Sequence, residues 1–266
     1  MEPMNGPPMS RPGAALRALV LAAGLAAGLA APLAHAESRD AIVKAVKFDD
    51  IDDIAKQLKH GLDPNLTDDK GTPLLVIAAR EKSDKVAEAL ASAPNVDLEK
   101  TDPAGENALM MASLNGDLPL VKLLIDKGAE VSKKGWSPLH YAATNGHDDV
   151  VRYLIDKSAY IDAGSPNGTT PLMMAARGNH DTTVTLLLDQ GADPAIKNQL
   201  GVTALEFAKH YQAPDAVAIL SKRTTRLGDA QPANGNGAGG QNSAKWRFWA
   251  RRLPRRFRRA GLTPPT

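Results

Sequence analysis

The chain of 266 residues contains no cysteine, and this absence removes three kinds of chemistry. The protein cannot form a disulfide, hold zinc through thiolates or use a cysteine nucleophile. Aromatic residues are also scarce, at 4%, although 43% of all residues are hydrophobic. We therefore expect a core built mainly from Ala, Leu, Val and Ile, as in stacked helices. The length and composition are typical of one or two globular domains.

Long apolar runs are absent beyond residue 36, but one lies before it. Two arginines precede the run ALVLAAGLAAGLAAPLA, and the small-x-small motif AHA ends at Ala36. This order is typical of a secretory signal peptide. It predicts that residues 1–36 are cleaved between Ala36 and Glu37 and that the protein is periplasmic in a Gram-negative bacterium. A transmembrane anchor is the alternative, which the glycine content and the cleavage motif disfavour.

The formal net charge of +2 conceals two regions of opposite sign. Residues 1–36 carry +1 and residues 245–259 carry +8, so residues 37–244 carry −7. The sequence therefore predicts an acidic body that is followed by a basic tail.

Internal repeats organise this acidic body. Glycines at positions 71, 105, 135, 168 and 201 recur at intervals of 34, 30, 33 and 33 residues. An alanine stands seven residues after each of these glycines, and an apolar cluster such as VKLLI or VTLLL follows. A period near 33 residues, made of two short helices and a turn, predicts a solenoid. The interval of 30 predicts a shortened finger loop at VSKKGW.

The segments SPLHYAATNGHDDVVRYLIDKSAYID and TTPLMMAARGNHDTTVTLLLDQGADP resemble ankyrin repeats. The resemblance implies an all-α ankyrin-repeat solenoid of stacked helix-turn-helix units with hairpin-like loops. It also implies a non-enzymatic, monomeric module that binds a protein partner through its concave groove and loop tips, although the sequence does not identify this partner. The predicted domain covers residues 37–222, and its repeats are 40–71 (a capping repeat), 71–104, 105–134, 135–167, 168–200 and 201–222. A flexible linker (223–244) and a basic aromatic tail (245–266) are predicted to follow.

Three histidines stand at positions that suggest a scaffold role rather than a metal site. His140 occupies the histidine position of the motif that the ankyrin resemblance identifies, and His147 and His180 occupy matching positions in successive repeats. The sequence contains no phosphate loop, dinucleotide fingerprint, zinc-type helix or nucleophile elbow. We therefore expect no enzyme activity, no metal and no cofactor, with an unrecognised hydrolase that uses groove Asp and His residues as an alternative.

A large apolar residue stands six positions after each repeat glycine. In an ankyrin stack this position resembles those on the concave, half-exposed face of the first helix. Trp136 lies at the base of the shortened finger loop. Exposed apolar patches mark interaction sites, and Trp and Tyr are enriched at their centres. The alternative is that these side chains only seal gaps between helices. The predicted partner-binding residues are Trp136, Tyr141, Met111, Met174 and Phe207, and Ile77 shares their station.

The basic tail KWRFWARRLPRRFRRAG is the second candidate site. Its apolar residues are spaced by 3, 4 and 4 positions among arginines, a pattern that suits an anionic membrane surface. The alternatives are a disordered tail and a tail that folds back onto the acidic body. Nucleic acid is not an expected partner of an exported protein. The predicted membrane-contact residues are Trp246, Trp249, Phe257, Arg251, Arg252, Arg255 and Arg256, which makes a membrane-tethered adaptor the alternative function.

Overall fold

The computed structural model describes residues 39–229, and helices are the only regular elements in this part of the chain. Helix α1 covers residues 39–47. The others are α2 Ile51–Lys59, α3 Leu74–Glu81, α4 Asp84–Ala91, α5 Ala108–Asn115, α6 Leu118–Asp126, α7 Pro138–Thr144, α8 Asp148–Asp156, α9 Pro171–Arg177, α10 Asp181–Asp189, α11 Ala204–His210 and α12 Pro214–Asp229. This arrangement confirms the predicted all-α solenoid.

The helices form two rows. Helices α3, α5, α7, α9 and α11 pack side by side as the first helices of successive repeats, and α2, α4, α6, α8 and α10 form the row of second helices. The helices of each of the repeats that begin with α3, α5, α7 and α9 also pack against each other. The rows belong to one compact unit that ends at Thr224. No helix within residues 39–229 is both long enough and apolar enough to cross a bilayer.

Small and large residues recur at equivalent positions in successive repeats. The alanine pairs of the first helices are fully buried, as at Ala142 and Ala143, and their short side chains let neighbouring helices approach closely. A leucine nineteen residues after each repeat glycine fills the space between the two rows. These leucines, Leu90, Leu124, Leu154, Leu187 and Leu220, are each at most 1% exposed. Truncation of one of them to alanine costs about 2–5 kcal/mol in comparable cores.

A left-handed residue lies between the two helices of every repeat. Gly146 has φ +73° and Asn179 has φ +56°, a conformation that Gly adopts freely and Asn tolerates. The next residue donates its N–H to a buried alanine carbonyl of the first helix, as His147 does to Ala142 at 3.1 Å. The same conformation occurs at Asp49, Lys82, Gly116 and Gln212. The repeat geometry therefore imposes the left-handed conformation even on Lys82 and Gln212, which do not favour it.

The loops between repeats confirm the predicted shortened finger. Residues 127–137 connect α6 to α7, whereas residues 157–170 connect α8 to α9. In a full-length finger the Asp102 carboxylate accepts two backbone N–H groups at 2.9–3.0 Å and closes a turn. The short finger is braced instead by Glu99 of the preceding loop, which accepts the Glu130 N–H at 2.8 Å.

The last helix corrects one predicted boundary. Residues 223–229 were expected to begin the flexible linker, but α12 continues to Asp229. The stretch RTTRL contains no Gly or Pro, and its Arg and Leu residues favour helix. The helix therefore extends past the last repeat of the predicted domain.

Candidate protein-binding surface

His140 ties two repeats together beneath the middle of the first-helix row. Its Nε2 lies 2.9 Å from the Thr169 carbonyl oxygen of the next repeat, and its Nδ1 lies 2.8 Å from the Ser137 hydroxyl. Because a carbonyl only accepts, Nε2 carries the proton and Nδ1 accepts from Ser137. Burial lowers the pKa of His140 to about 4, against the opposing effect of the Thr169 carbonyl. The imidazole is therefore a neutral structural bridge.

His147 and His180 repeat a second bridging arrangement. The Nε2 atom of His147 donates to the Leu114 carbonyl at 2.9 Å, and that of His180 donates to the Thr144 carbonyl at 2.9 Å. Each ring lies against a glycine of the preceding repeat, where a Cβ would approach the ring to 2.4–2.5 Å. These bonds to backbone carbonyls are the scaffold role that the sequence predicted. No three His, Asp or Glu side chains within residues 39–229 gather in a group that could hold a metal ion.

Trp136 and Tyr141 form an aromatic corner above His140. The Trp136 ring meets the His140 ring edge-on at 5.3 Å and the Tyr141 ring at 6.4 Å between centroids. Trp136 remains 37% exposed, whereas Tyr141 is half-buried. The short finger places the indole at this position, and its contacts hold it in one orientation. The structure therefore brings together two of the five predicted binding residues.

A polar chain supports this corner from the preceding repeats. The Tyr141 hydroxyl donates to Glu106 Oε1 at 2.8 Å, and Glu106 lies 3.8 Å from Arg80 Nη2. Arg80 also binds the buried carboxylate of Asp102 at 2.6 Å. Burial, and next the hydrogen bond to Glu106, raise the pKa of the Tyr141 phenol. Tyr141 is therefore a neutral hydrogen-bond donor at physiological pH.

A second aromatic group lies further along the same row, in the last repeat. The Phe207 ring packs against the Tyr211 ring at 5.8 Å, and the Arg177 guanidinium lies 5.1 Å from the Tyr211 centroid. Tyr211 is 46% exposed. The sequence interpretation missed Arg177 and Tyr211, although helical spacing places them three and four residues after Met174 and Phe207. We call the surface formed by Trp136, Tyr141, Arg177, Phe207 and Tyr211 the groove face.

Two predicted members of this surface need correction. Met111 is 2% exposed and Met174 is 7% exposed, and Ile77 at the same station is 3% exposed. Their flexible or branched side chains fill the spaces between neighbouring first helices. The expected continuous apolar stripe is therefore two separate aromatic groups, and partner contact by Trp136, Tyr141 and Phe207 stays a prediction.

Two other regions of the chain carry charged side chains. A cleft of about 540 Å³ lies between α8 and α10, lined by Asp148, Arg152, Asp181, Thr182, Thr185, Leu186, Asp189 and Gln190. At one end of this cleft Asp148 accepts from the buried Thr183 hydroxyl at 2.5 Å. The predicted membrane-contact residues, Trp246, Trp249, Arg251, Arg252, Arg255, Arg256 and Phe257, lie outside the described residues.

The family comparison covers most of this helical region. The family model described as ankyrin repeats (3 copies) matches residues 42–134, 75–165 and 158–230. The chain belongs to the ankyrin-repeat family. An ankyrin repeat protein of Rickettsia felis (strain ATCC VR-1525 / URRWXCal2) is 32% identical over 85 residues, which are 32% of this chain and 28% of that protein. Notch-regulated ankyrin repeat-containing protein A of Danio rerio is 48% identical over 44 residues, 15% of this chain and 39% of that protein.

Membership places the chain among protein–protein interaction modules. The ankyrin-repeat family is typically non-enzymatic, and ankyrin repeats are protein–protein interaction modules. The matched segments span well under half of the two relatives' lengths. Family membership gives this chain the ankyrin-repeat fold and places it in the general class of protein–protein interaction modules.

Proposed function

We propose that this chain is an exported, non-enzymatic ankyrin-repeat module that binds a partner protein through the groove face. The observation that carries the proposal is the Trp136 indole, which is 37% exposed although three structural supports fix its surroundings. These supports are the short finger, the buried His140 bridge and the Tyr141–Glu106 hydrogen bond.

A fixed, exposed tryptophan is the kind of side chain that dominates binding energy in protein interfaces. Because neighbouring repeats hold each other in place, little conformational entropy is lost when a partner docks on this surface. The second aromatic group, at Phe207 and Tyr211, extends the contact area by two repeats. The mechanism is display of pre-ordered side chains, and no catalytic group is needed.

Partner capture tests the groove proposal. The mature chain, residues 37–266, is used as bait in a periplasmic extract beside its Trp136→Ala and Phe48→Ala variants. Phe48 is a matched control because it is 76% exposed and lies in the first repeat, away from the groove face. We expect Trp136→Ala alone to lose the partner while helical content is unchanged. Equal capture by all three proteins would remove the groove face from the function.

Export is the second element of the proposal, and it rests on the order of charged, apolar and small residues before position 37. N-terminal sequencing of protein from a periplasmic extract is expected to begin at Glu37. An uncleaved N-terminus in a membrane fraction would contradict this part of the proposal without affecting the groove.

A further inference from the structure

We propose that the groove face selects an extended peptide segment in which a carboxylate side chain lies about four residues from an apolar one. The apolar side chain contacts Trp136, and the carboxylate binds Arg177. This inference rests on the proposed function and names the chemistry of its partner.

The position of the Arg177 side chain suits it to bind a carboxylate. Its side chain is exposed, and its guanidinium lies over the Tyr211 ring, which packs in turn against Phe207 at 5.8 Å and His210 at 4.9 Å. Stacking on an aromatic ring occupies a face of the guanidinium and leaves its N–H edges available. Those edges match the two oxygens of a carboxylate. Among residues 39–223 Arg177 forms no ion pair of its own.

The other arginine of the first-helix row is already neutralised. Arg80 stands three residues after Ile77, as Arg177 stands three after Met174, so that both occupy the same station. Arg80, however, binds Asp102 at 2.6 Å and lies 3.8 Å from Glu106. The first-helix row therefore carries one arginine that is compensated, Arg80, and one whose guanidinium is available to an anion, Arg177.

Other charged side chains lie on the helices that follow Arg177 along the chain. Lys209 stands two residues after Phe207 on α11. On the same helix Glu206 accepts from the Thr203 N–H at 2.6 Å and its hydroxyl at 2.8 Å, and these bonds, and then Lys197 and Lys209, lower its pKa. Asp215 of α12 accepts from the Asn179 amide at 2.8 Å. Both carboxylates therefore already have partners, whereas the charge of −7 over residues 37–244 repels an acidic segment from other parts of the domain.

The repeat spacing sets the distance between the two anchors. Trp136 and Arg177 belong to consecutive repeats, whose packed first helices are separated by about 8–10 Å. Trp136 precedes the start of α7, whereas Arg177 is the last residue of α9, which adds an offset of about 10 Å along the helix axis. An extended chain advances about 3.3 Å per residue. A peptide that crosses the row obliquely therefore needs about four residues to pass from the indole to the guanidinium.

A random peptide library tests this recognition without knowledge of the natural partner. Phage-displayed dodecapeptides are selected on the mature chain and on its Arg177→Gln, Arg152→Gln and Trp136→Ala variants. Arg152 is a matched control because it removes the same charge from the cleft of second helices α8 and α10. We expect wild type and Arg152→Gln to enrich peptides with Asp or Glu about three to five residues from a large apolar residue. Arg177→Gln should keep the apolar preference and lose the acidic one.

The outcomes separate the two proposals. An acidic preference that is absent in wild type, or that survives Arg177→Gln, overturns the carboxylate receptor and leaves the groove intact. Enrichment that is the same on Trp136→Ala, or no enrichment at all, overturns the groove itself. For a synthetic peptide of the enriched type, changing its acid to the amide should weaken binding to wild type roughly tenfold. The same change should alter binding to Arg177→Gln less than about twofold.

Discussion

Tyr141 donates its hydroxyl hydrogen bond to Glu106 at 2.8 Å across the boundary between two repeats. The bond links the aromatic corner to the Arg80 ion pairs, and we expect it to contribute to stability. Tyr141→Phe removes the bond and keeps the ring, so the free energy of unfolding should fall by about 1 kcal/mol. Urea denaturation followed by far-UV circular dichroism measures the change.

Tyr160→Phe is the matched control for this substitution. Tyr160 is 59% exposed, and loss of an exposed hydroxyl should alter the free energy of unfolding by less than about 0.5 kcal/mol. Equal effects of the two substitutions would show that the Tyr141–Glu106 bond does not couple the repeats.

Gly178 is required for space rather than for backbone conformation. Its φ of −80° suits any residue, yet a Cβ at this position would lie 2.4 Å from the His180 ring. Gly178→Ala should therefore destabilise the protein by about 1–3 kcal/mol, although alanine is otherwise the better helix former. Thermal unfolding gives the shift.

Two comparisons make the Gly178 prediction specific. Gly164→Ala should be close to neutral because its Cβ would meet Gly168 at an ordinary 3.7 Å. In the Gly178→Ala/His180→Ala double variant the glycine substitution should cost much less than it does alone. Additive effects would indicate that the His180 ring does not occupy this space.

The buried His140 predicts a loss of stability in mild acid. Its pKa of about 4 in the folded protein lies below the unfolded value of about 6.5. As pH falls through this window the unfolded chain binds a proton that the folded chain does not, so folding weakens by up to an order of 3 kcal/mol. Above about pH 6.5 the contribution is constant.

Urea denaturation between pH 7 and pH 4 checks this sign. His140→Asn lacks the titrating group and keeps a side-chain acceptor for Ser137. The variant should therefore lose less stability than wild type over the same range. Parallel pH profiles of the two proteins would contradict the buried neutral bridge.

Much of the fold could be predicted because each position of the repeat has its own requirement for packing or backbone conformation. The glycine register placed an apolar cluster in each repeat, and the buried Leu154 belongs to one of these clusters. Asn179 stands in the left-handed position, a conformation that its side chain tolerates. Lys82 adopts the same conformation with φ +59°. No local preference indicates this, because the packing of the two helices imposes it.

The candidate site was less predictable because exposure depends on neighbouring repeats. Tyr141 and Met174 occupy the same station, but a half-buried ring borders the short finger at one position and a buried thioether fills a gap at the other. The stacking of Arg177 on Tyr211 joins residues of two repeats at different stations. Comparison of equivalent positions in successive repeats therefore does not predict the contact between Arg177 and Tyr211.

The basic tail offers an independent prediction. If it contacts membranes, the mature chain should sediment with anionic vesicles more than a form that ends at Asp229, where α12 ends, and salt should weaken the association because screening limits the reach of charge to about 8 Å. Replacing Trp246, Trp249 and Phe257 with alanine should also weaken it at unchanged charge. Equal sedimentation of the two forms would remove the tail from the function.

The affinity of the captured partner for Trp136→Ala tests the central claim most directly. Isothermal titration calorimetry should show binding about 30-fold weaker than wild type, which corresponds to about 2 kcal/mol. Phe48→Ala should bind like wild type, and circular dichroism should show that all three proteins are folded at the assay temperature. Undiminished affinity of Trp136→Ala, or an equal loss of affinity in Phe48→Ala, would contradict binding through the groove face.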